Sequence, residues 1–162
     1  MVDPLQVLSA DLSFYMQVEG TQFPAQTAVQ LEAVARRIVP ALTGARLHVL
    51  RWDTGTAPRA PQNGWIIVER SDESSNICGR ALIGALAGHI WLDSNRACNI
   101  AATFAHEIGH ALGFSHVTRP GSLMLPEQAG SNLNDAPTEI EQRHAAIAYR
   151  RARGNRDIDV DP

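Results

Sequence analysis

Hydrophobic and polar residues alternate strictly from Asp11 to Glu19. Leu12, Phe14, Met16 and Val18 fall on one side, and Ser13, Tyr15, Gln17 and Glu19 on the other. That period of two predicts a half-buried strand. The period changes after Pro24: Ala28, Leu31, Ala35, Ile38 and Leu42 recur at i, i+3, i+7, i+10 and i+14, the stripe of an amphipathic helix. Gly44 stands where such a helix stops. Leu47 to Trp52 predicts a second strand. Asp53 to Gly64 carries Gly55, Pro58, Pro61 and Gly64 and reads as a loop. Trp65 to Val68 is apolar without alternation, as a central strand is. After the polar loop Ser71 to Asn76, the stretches Ala81–Ala87 and His89–Asp93 predict one or two further strands divided near Gly88. Asn99 to Leu112 predicts a helix ended by Gly113. A last helix, Glu139 to Arg153, opens on a capping box made by Thr138 and Glu141.

The order strand, helix, three or four strands, helix, loop, helix specifies an α/β domain (α+β in some schemes). Its sheet is mixed and mostly parallel, with the first helix as crossover. No internal repeat and no linker divides residues 1–162, so they read as a single domain, with about 154–162 a frayed tail. At 162 residues the chain can bury a sound core. With 44% hydrophobic and 19% charged residues it is neither disordered, collagen-like nor a coiled coil. No apolar run approaches the roughly 20 residues of a membrane helix. A net charge of −3 argues against a nucleic-acid surface. All 14 basic residues are arginine, scattered except for Arg150, Arg151, Arg153 and Arg156, which suit the negative end of a helix dipole. Met1-Val2-Asp3-Pro4 offers neither the basic nor the apolar region of a leader. The expectation is therefore either a cytosolic protein or one whose leader and pro-segment have been removed.

Cys78 and Cys98 leave three options open: a disulfide, two free thiols, or metal ligation. Neither has a second Cys or a His at ligand spacing, which argues against metal. The expected bridge closes a loop of about 20 residues, is worth roughly 3 kcal/mol, and carries the case for an extracellular location.

The chemistry concentrates in His106-Glu107-Ile108-Gly109-His110-Ala111-Leu112-Gly113-Phe114-Ser115-His116. His106 and His110, four apart on a helix, lie one turn above one another, so both imidazoles can meet one ion. Gly113 permits the positive φ with which the chain can leave the helix. His116 can then swing back as a third ligand. Three neutral imidazoles leave one tetrahedral zinc position open to solvent. Glu107 points about 100° away from His106. It is poorly placed as a ligand and well placed to take a proton from an attacking water and deliver it to a leaving amine. Five fixed positions match a given window by chance with a probability on the order of 10⁻⁸ to 10⁻⁷. A surface helix that happens to carry two histidines would leave Gly113 and His116 as coincidences.

This pattern resembles the zinc signature of the metzincin metallopeptidases. Met124, eight residues beyond His116, resembles the methionine that such enzymes place beneath the zinc as a packing floor. Met124-Leu125-Pro126 is most similar to the matrixins, the matrix-metalloproteinase type. The resemblance implies a zinc-dependent endopeptidase with a metzincin-like fold: an active-site helix, a C-terminal helix and an antiparallel edge strand along which a peptide binds. Leu82 to Leu86, with Gly84 and Ala85, resembles that edge strand, and Pro126 would wall the pocket beyond the scissile bond. The family's structural-zinc histidine corresponds here to Trp91, which argues against a second zinc. His89 is expected on the opposite face or displaced by one or two residues, as a rim residue. Asp72 to Asn76, with Asp93 and Asn95, offers oxygen ligands for calcium, although a solvated turn explains them more simply. His48 lies in a strand, and His144 is read as a packed core residue of the last helix. Trp52 and Trp65 serve as core or loop anchors. The chain is expected to act as a secreted monomer on a peptide or protein. The alternatives are a catalytically silent zinc-binding module, a zinc hydrolase of a non-peptide amide, and a metal sensor.

Overall fold

The structure, a computed structural model, describes residues 11–19, 22–71, 77–82, 87–93, 98–126 and 135–150. Its elements are β1 (Asp11–Gln17), α1 (Ala25–Ala41), β2 (His48–Gly55), β3 (Trp65–Arg70), β4 (Gly79–Ala81), β5 (Gly88–Leu92), α2 (Ile100–Ala111) and α3 (Glu139–Arg150). The strands form one sheet in the order β2-β1-β3-β5-β4. β1 is parallel to both β2 and β3, and β3 is parallel to β5. β4 alone is antiparallel, pairing Gly79 with Leu92, Arg80 with Trp91 and Ala81 with Ile90. This is the mixed, mostly parallel α/β architecture that the order of elements predicts, with α1 crossing over between the parallel strands β1 and β2.

The core follows from the two periodicities. Leu12, Phe14 and Met16 of β1 meet the α1 stripe of Leu31, Ala35 and Ile38, and Phe104 and Ile108 of α2 complete the layer. Phe14 stacks on Trp52 of β2 and meets Phe104 edge-on, so the aromatic contacts tie the sheet to α2.

Two expectations are corrected. β1 is buried on both faces: Ser13 and Tyr15, expected to face solvent, are only 7% and 8% exposed. The reason is the segment after β2. It folds back over this face, where the Tyr15 hydroxyl donates to the Ala57 carbonyl and Gln17 Nε2 to that of Thr56 at 2.9 Å. Arg59 lies over the Trp65 ring at 3.6 Å. Period two therefore marks a strand correctly but does not reveal that a loop will cover its polar side. In α3, His144 is exposed, while Ala145 and Tyr149 are the buried residues. The helix turns its Glu141–Ala145–Tyr149 edge inward, which leaves His144 on the solvent side.

Cys78 and Cys98 form a disulfide with Cα atoms 5.9 Å apart, joining residues 20 apart in sequence. Cys98 stands just before Asn99, whose side chain caps α2 by accepting from Ala102 N at 3.2 Å. Cys78 leads into the edge strand. The bond therefore fastens β4 to the start of α2. Replacing both cysteines by alanine should lower the unfolding free energy by about 3 kcal/mol in urea titrations, with the far-UV spectrum of the fold retained.

Candidate metal centre

Helix α2 is buried along its whole length from Ala102 to Ala111, and His106 and His110 are 8% exposed each. The helix closes at Leu112. Gly113 follows at φ 98°, a left-handed conformation open to glycine and costly to other residues. Its amide donates to the His110 carbonyl at 2.8 Å and that of Phe114 to the Gly109 carbonyl at 3.0 Å. The chain then turns back along the helix, held by Val117 N donating to the Met124 carbonyl at 2.9 Å. This reversal carries the exposed His116 over the two buried histidines.

The three rings converge through their Nε2 atoms. His106 Nε2 lies 3.2 Å from His116 Nε2, and His110 Nε2 lies 3.0 Å from it. All three candidate ligand atoms fall within 4.8 Å of one another. Two backbone carbonyls determine what these atoms are. His106 Nδ1 donates to the Leu123 carbonyl at 2.7 Å, and His110 Nδ1 to the Phe114 carbonyl at 2.8 Å. A carbonyl can only accept, so both Nδ1 atoms carry the proton and both Nε2 atoms present lone pairs. With His116 Nε2 brought to within 3.2 Å of both, one cation can be shared by all three nitrogens. A tetrahedral ion about 2.1 Å from each nitrogen would separate the nitrogens by about 3.4 Å, close to the two distances to His116. Among the described residues no other cluster of this kind is present.

The electrostatics favour ligation. Burial lowers the pKa of His106 to about 4, against the upward pull of the Leu123 carbonyl and with His110 and His116 adding to the fall. Burial also lowers His110, again against its carbonyl bond and aided by His116. Both rings are therefore neutral near pH 7, the form that binds a metal. Glu107, 4% exposed, lies next in the helix, and its Oε2 has no hydrogen-bond partner. Burial raises its carboxyl to about 8.

Met124 is 3% exposed and packs directly beneath α2, where a Cβ added at Gly109 would collide with its Sδ and stand 3.0 Å from its Cε. The turn that carries it is gripped by Glu141 of α3. The Glu141 carboxylate accepts from the Ser122 hydroxyl, from Leu123 N and Met124 N at 3.2 Å each, and from Thr138 N at 2.7 Å. Its own amide donates to Thr138 Oγ1 at 3.3 Å, completing the capping box. Sequence reasoning saw the box and missed the grip on the turn, because nothing in the local pattern shows that the same carboxylate has a distant set of donors. Leu123, whose amide Glu141 holds, is also the residue whose carbonyl orients His106.

The structure places the remaining candidates as follows. The edge strand is at Gly79–Ala81 and Leu82 follows it, its amide donating to the His89 carbonyl at 2.9 Å; Gly84, Ala85 and Leu86 lie outside the described residues. Pro126 is half-buried two residues after Met124. Residues 72–76 and Asn95, considered for calcium, also lie outside the described residues, and Asp93 is buried. His89 shares a face with Trp91, as residues two apart in a strand must; an opposite-face position for it is corrected. Their rings stack 3.9 Å apart, Arg80 lies over Trp91 at 4.8 Å, and His89 Nε2 meets Glu69 Oε2 at 2.9 Å. Where the family resemblance would put a structural-zinc histidine, the sheet carries this stack.

Two outcomes follow for Glu141. Glu141→Gln should lower zinc affinity about 10- to 100-fold, the usual cost of losing a group that orients a ligand, measured by competition with a chromophoric chelator. Burial pushes the Glu141 carboxyl up, but hydrogen bonds from Ser122, Thr138 and Leu123 outweigh it, and the net pKa is lowered. A carboxyl whose folded pKa is depressed stabilises the fold above its unfolded value and loses that contribution as pH falls through the folded one. Urea titrations between about pH 5 and 3 should therefore show the stability gap between the wild type and Glu141→Gln closing as the solution is acidified.

The family model of the matrixins matches residues 11–144, from the first strand through the histidine cluster into α3. With that match over most of its length, the chain belongs to the matrixin peptidase family.

Proposed function

We propose that the chain is a zinc-dependent endopeptidase that hydrolyses peptide bonds with Glu107 as general base and then general acid. The observation that carries this reading is the convergence of three Nε2 atoms, two of them left as lone pairs by Nδ1–H bonds to backbone carbonyls. His106, His110 and His116 would hold the zinc. Zinc, when bound there, polarises the substrate carbonyl and eases loss of a proton from water. Glu107 takes that proton as the water attacks and hands it to the departing amine nitrogen. No side chain forms a bond to the substrate, so the reaction runs without a covalent intermediate.

Substrate binding is assigned to the side of β4 that, among the described residues, no strand pairs. β5 pairs with one edge of this strand, and an extended peptide can add to the other through main-chain hydrogen bonds. Leu82, at the end of β4, and Pro126, beyond Met124, would border the peptide. An extracellular location is supported by the Cys78–Cys98 bridge, since such bonds persist in oxidising compartments. Among the described residues no helix is long and apolar enough to cross a membrane.

The test uses zinc-loaded protein and an internally quenched peptide library. Wild type should cleave, a chelator should stop cleavage, and added zinc should restore it. Glu107→Gln should lower kcat by about 10²- to 10⁴-fold while retaining about one zinc per chain. Failure of the zinc-loaded wild type to cleave any peptide would overturn the peptidase reading, and cleavage unchanged by Glu107→Gln would overturn the assignment of the base.

A further inference from the structure

The Oε2 atom of Glu107 is buried and has no hydrogen-bond partner, and Thr103 Oγ1, one turn earlier on the same face of α2, is likewise buried without one. Among the described residues no protein group hydrogen-bonds either atom, so what the protein itself does to aim the carboxylate it does by packing. The surface it packs against is the backbone of the edge strand. A Cβ built on Gly79 would stand 2.6 Å from Thr103 Cγ2 and 3.0 Å from both Cγ and Oε1 of Glu107. Ordinary carbon contacts are near 3.5–4.0 Å, so no side chain fits between strand and helix at this point.

The strand cannot step back to make room. On one side β5 holds it: Gly79 pairs with Leu92 and Asp93 N donates to the Cys78 carbonyl at 2.8 Å. At its start the Cys78–Cys98 bond ties it to the residue preceding the α2 cap. On its outer face Arg80 is laid over Trp91. Any atom added at Gly79 must therefore be accommodated by the helix side chains. The softest of these is Glu107, whose carboxylate sits at the end of freely rotating bonds.

We propose that Gly79 is a positioning residue for Glu107: the bare backbone of the edge strand is the wall that keeps the carboxylate turned toward the three histidines. This rests on Glu107 being the base. The Cβ direction of Gly79 points at α2, away from the edge of the strand that is unpaired among the described residues, so substrate binding and zinc binding should be spared when the wall is altered.

Gly79→Ala should lower kcat at least about 10-fold, as small misplacements of catalytic groups do, with KM within about threefold and one zinc retained. Thr103→Ser removes the Cγ2 atom that is closest to the new methyl and leaves only the contacts to Glu107. If the double variant Gly79→Ala/Thr103→Ser keeps the low kcat, the wall acts on Glu107; if it regains the wild-type kcat, the clash was with Thr103 and the proposal is overturned. A second readout needs neither zinc nor activity. In metal-free protein carrying Thr103→Ser, the drop in urea midpoint caused by Gly79→Ala should be at least halved when Glu107 is also replaced by alanine. An equal drop with either residue at position 107 would overturn the contact. Should zinc-loaded wild type cleave nothing, the peptidase reading falls by itself, and this metal-free coupling still decides whether Gly79 bears on Glu107.

Discussion

The centre depends on two hydrogen bonds that involve no catalytic atom. The carbonyls of Leu123 and Phe114 each accept an Nδ1 proton, from His106 and His110 respectively. With the protons held there, the Nε2 lone pairs have one direction left, toward each other and toward His116. Everything that positions those carbonyls consequently bears on the histidine cluster. The Phe114 carbonyl is placed by the Gly113 reversal at the end of α2. The Leu123 carbonyl is placed by the Met124 turn, which Glu141 grips through Ser122, Leu123 and Met124. A ligand shell drawn from some twenty residues of sequence thus depends on a carboxylate in a separate helix.

The same helix is held at both ends of that arrangement. α3 buries Ala145 and Tyr149, and Ala148 packs partly buried against the same core. Polar contacts fix its two ends. Glu141 in its first turn binds the Met124 turn, and the Tyr149 hydroxyl near its end donates to the Leu112 carbonyl at 2.6 Å, where α2 stops. The helix therefore spans from the turn beneath the three histidines to the end of the helix that carries two of them. Its docking combines the apolar packing of Ala145 and Tyr149 with hydrogen bonds at both ends that are costly to leave unmade.

Much of this was legible in the residues. The period of two in β1, the stripe of α1, the caps at Asn99 and Thr138, and the spacing of His106, His110, Gly113 and His116 are local signals, and local signals survive into the fold. What was not legible came from distant contacts. Ser13 and Tyr15 are buried because a proline-rich loop folds over them. Glu141 looked like half of a capping box because its other partners lie 17 to 19 residues earlier. His144 seemed to belong to an apolar face because Ile140 and Ile147 flank it at helical spacing, yet Ile140 is itself 38% exposed. In a short helix with few apolar residues, periodicity alone cannot choose between two adjacent faces, and the demand of Glu141 for its donors decides the rotation.

The same division applies to Glu107. Its place in the motif says which chemistry it can do, but its orientation is a property of β4, nearly thirty residues earlier in the chain. An exposed carboxylate beside a metal could be held by water; a buried one must be held by protein atoms or remain free to rotate. Here the atoms available are a backbone without a Cβ, fixed by sheet pairing on one side and by a disulfide to α2 on the other. The bridge and the glycine act together, because a tightly anchored strand leaves no room for a side chain, and a strand without one makes a defined wall only if it is anchored. The cysteine pair therefore bears on the setting of Glu107 as well as on the stability of the fold, through the single residue that separates Cys78 from Arg80.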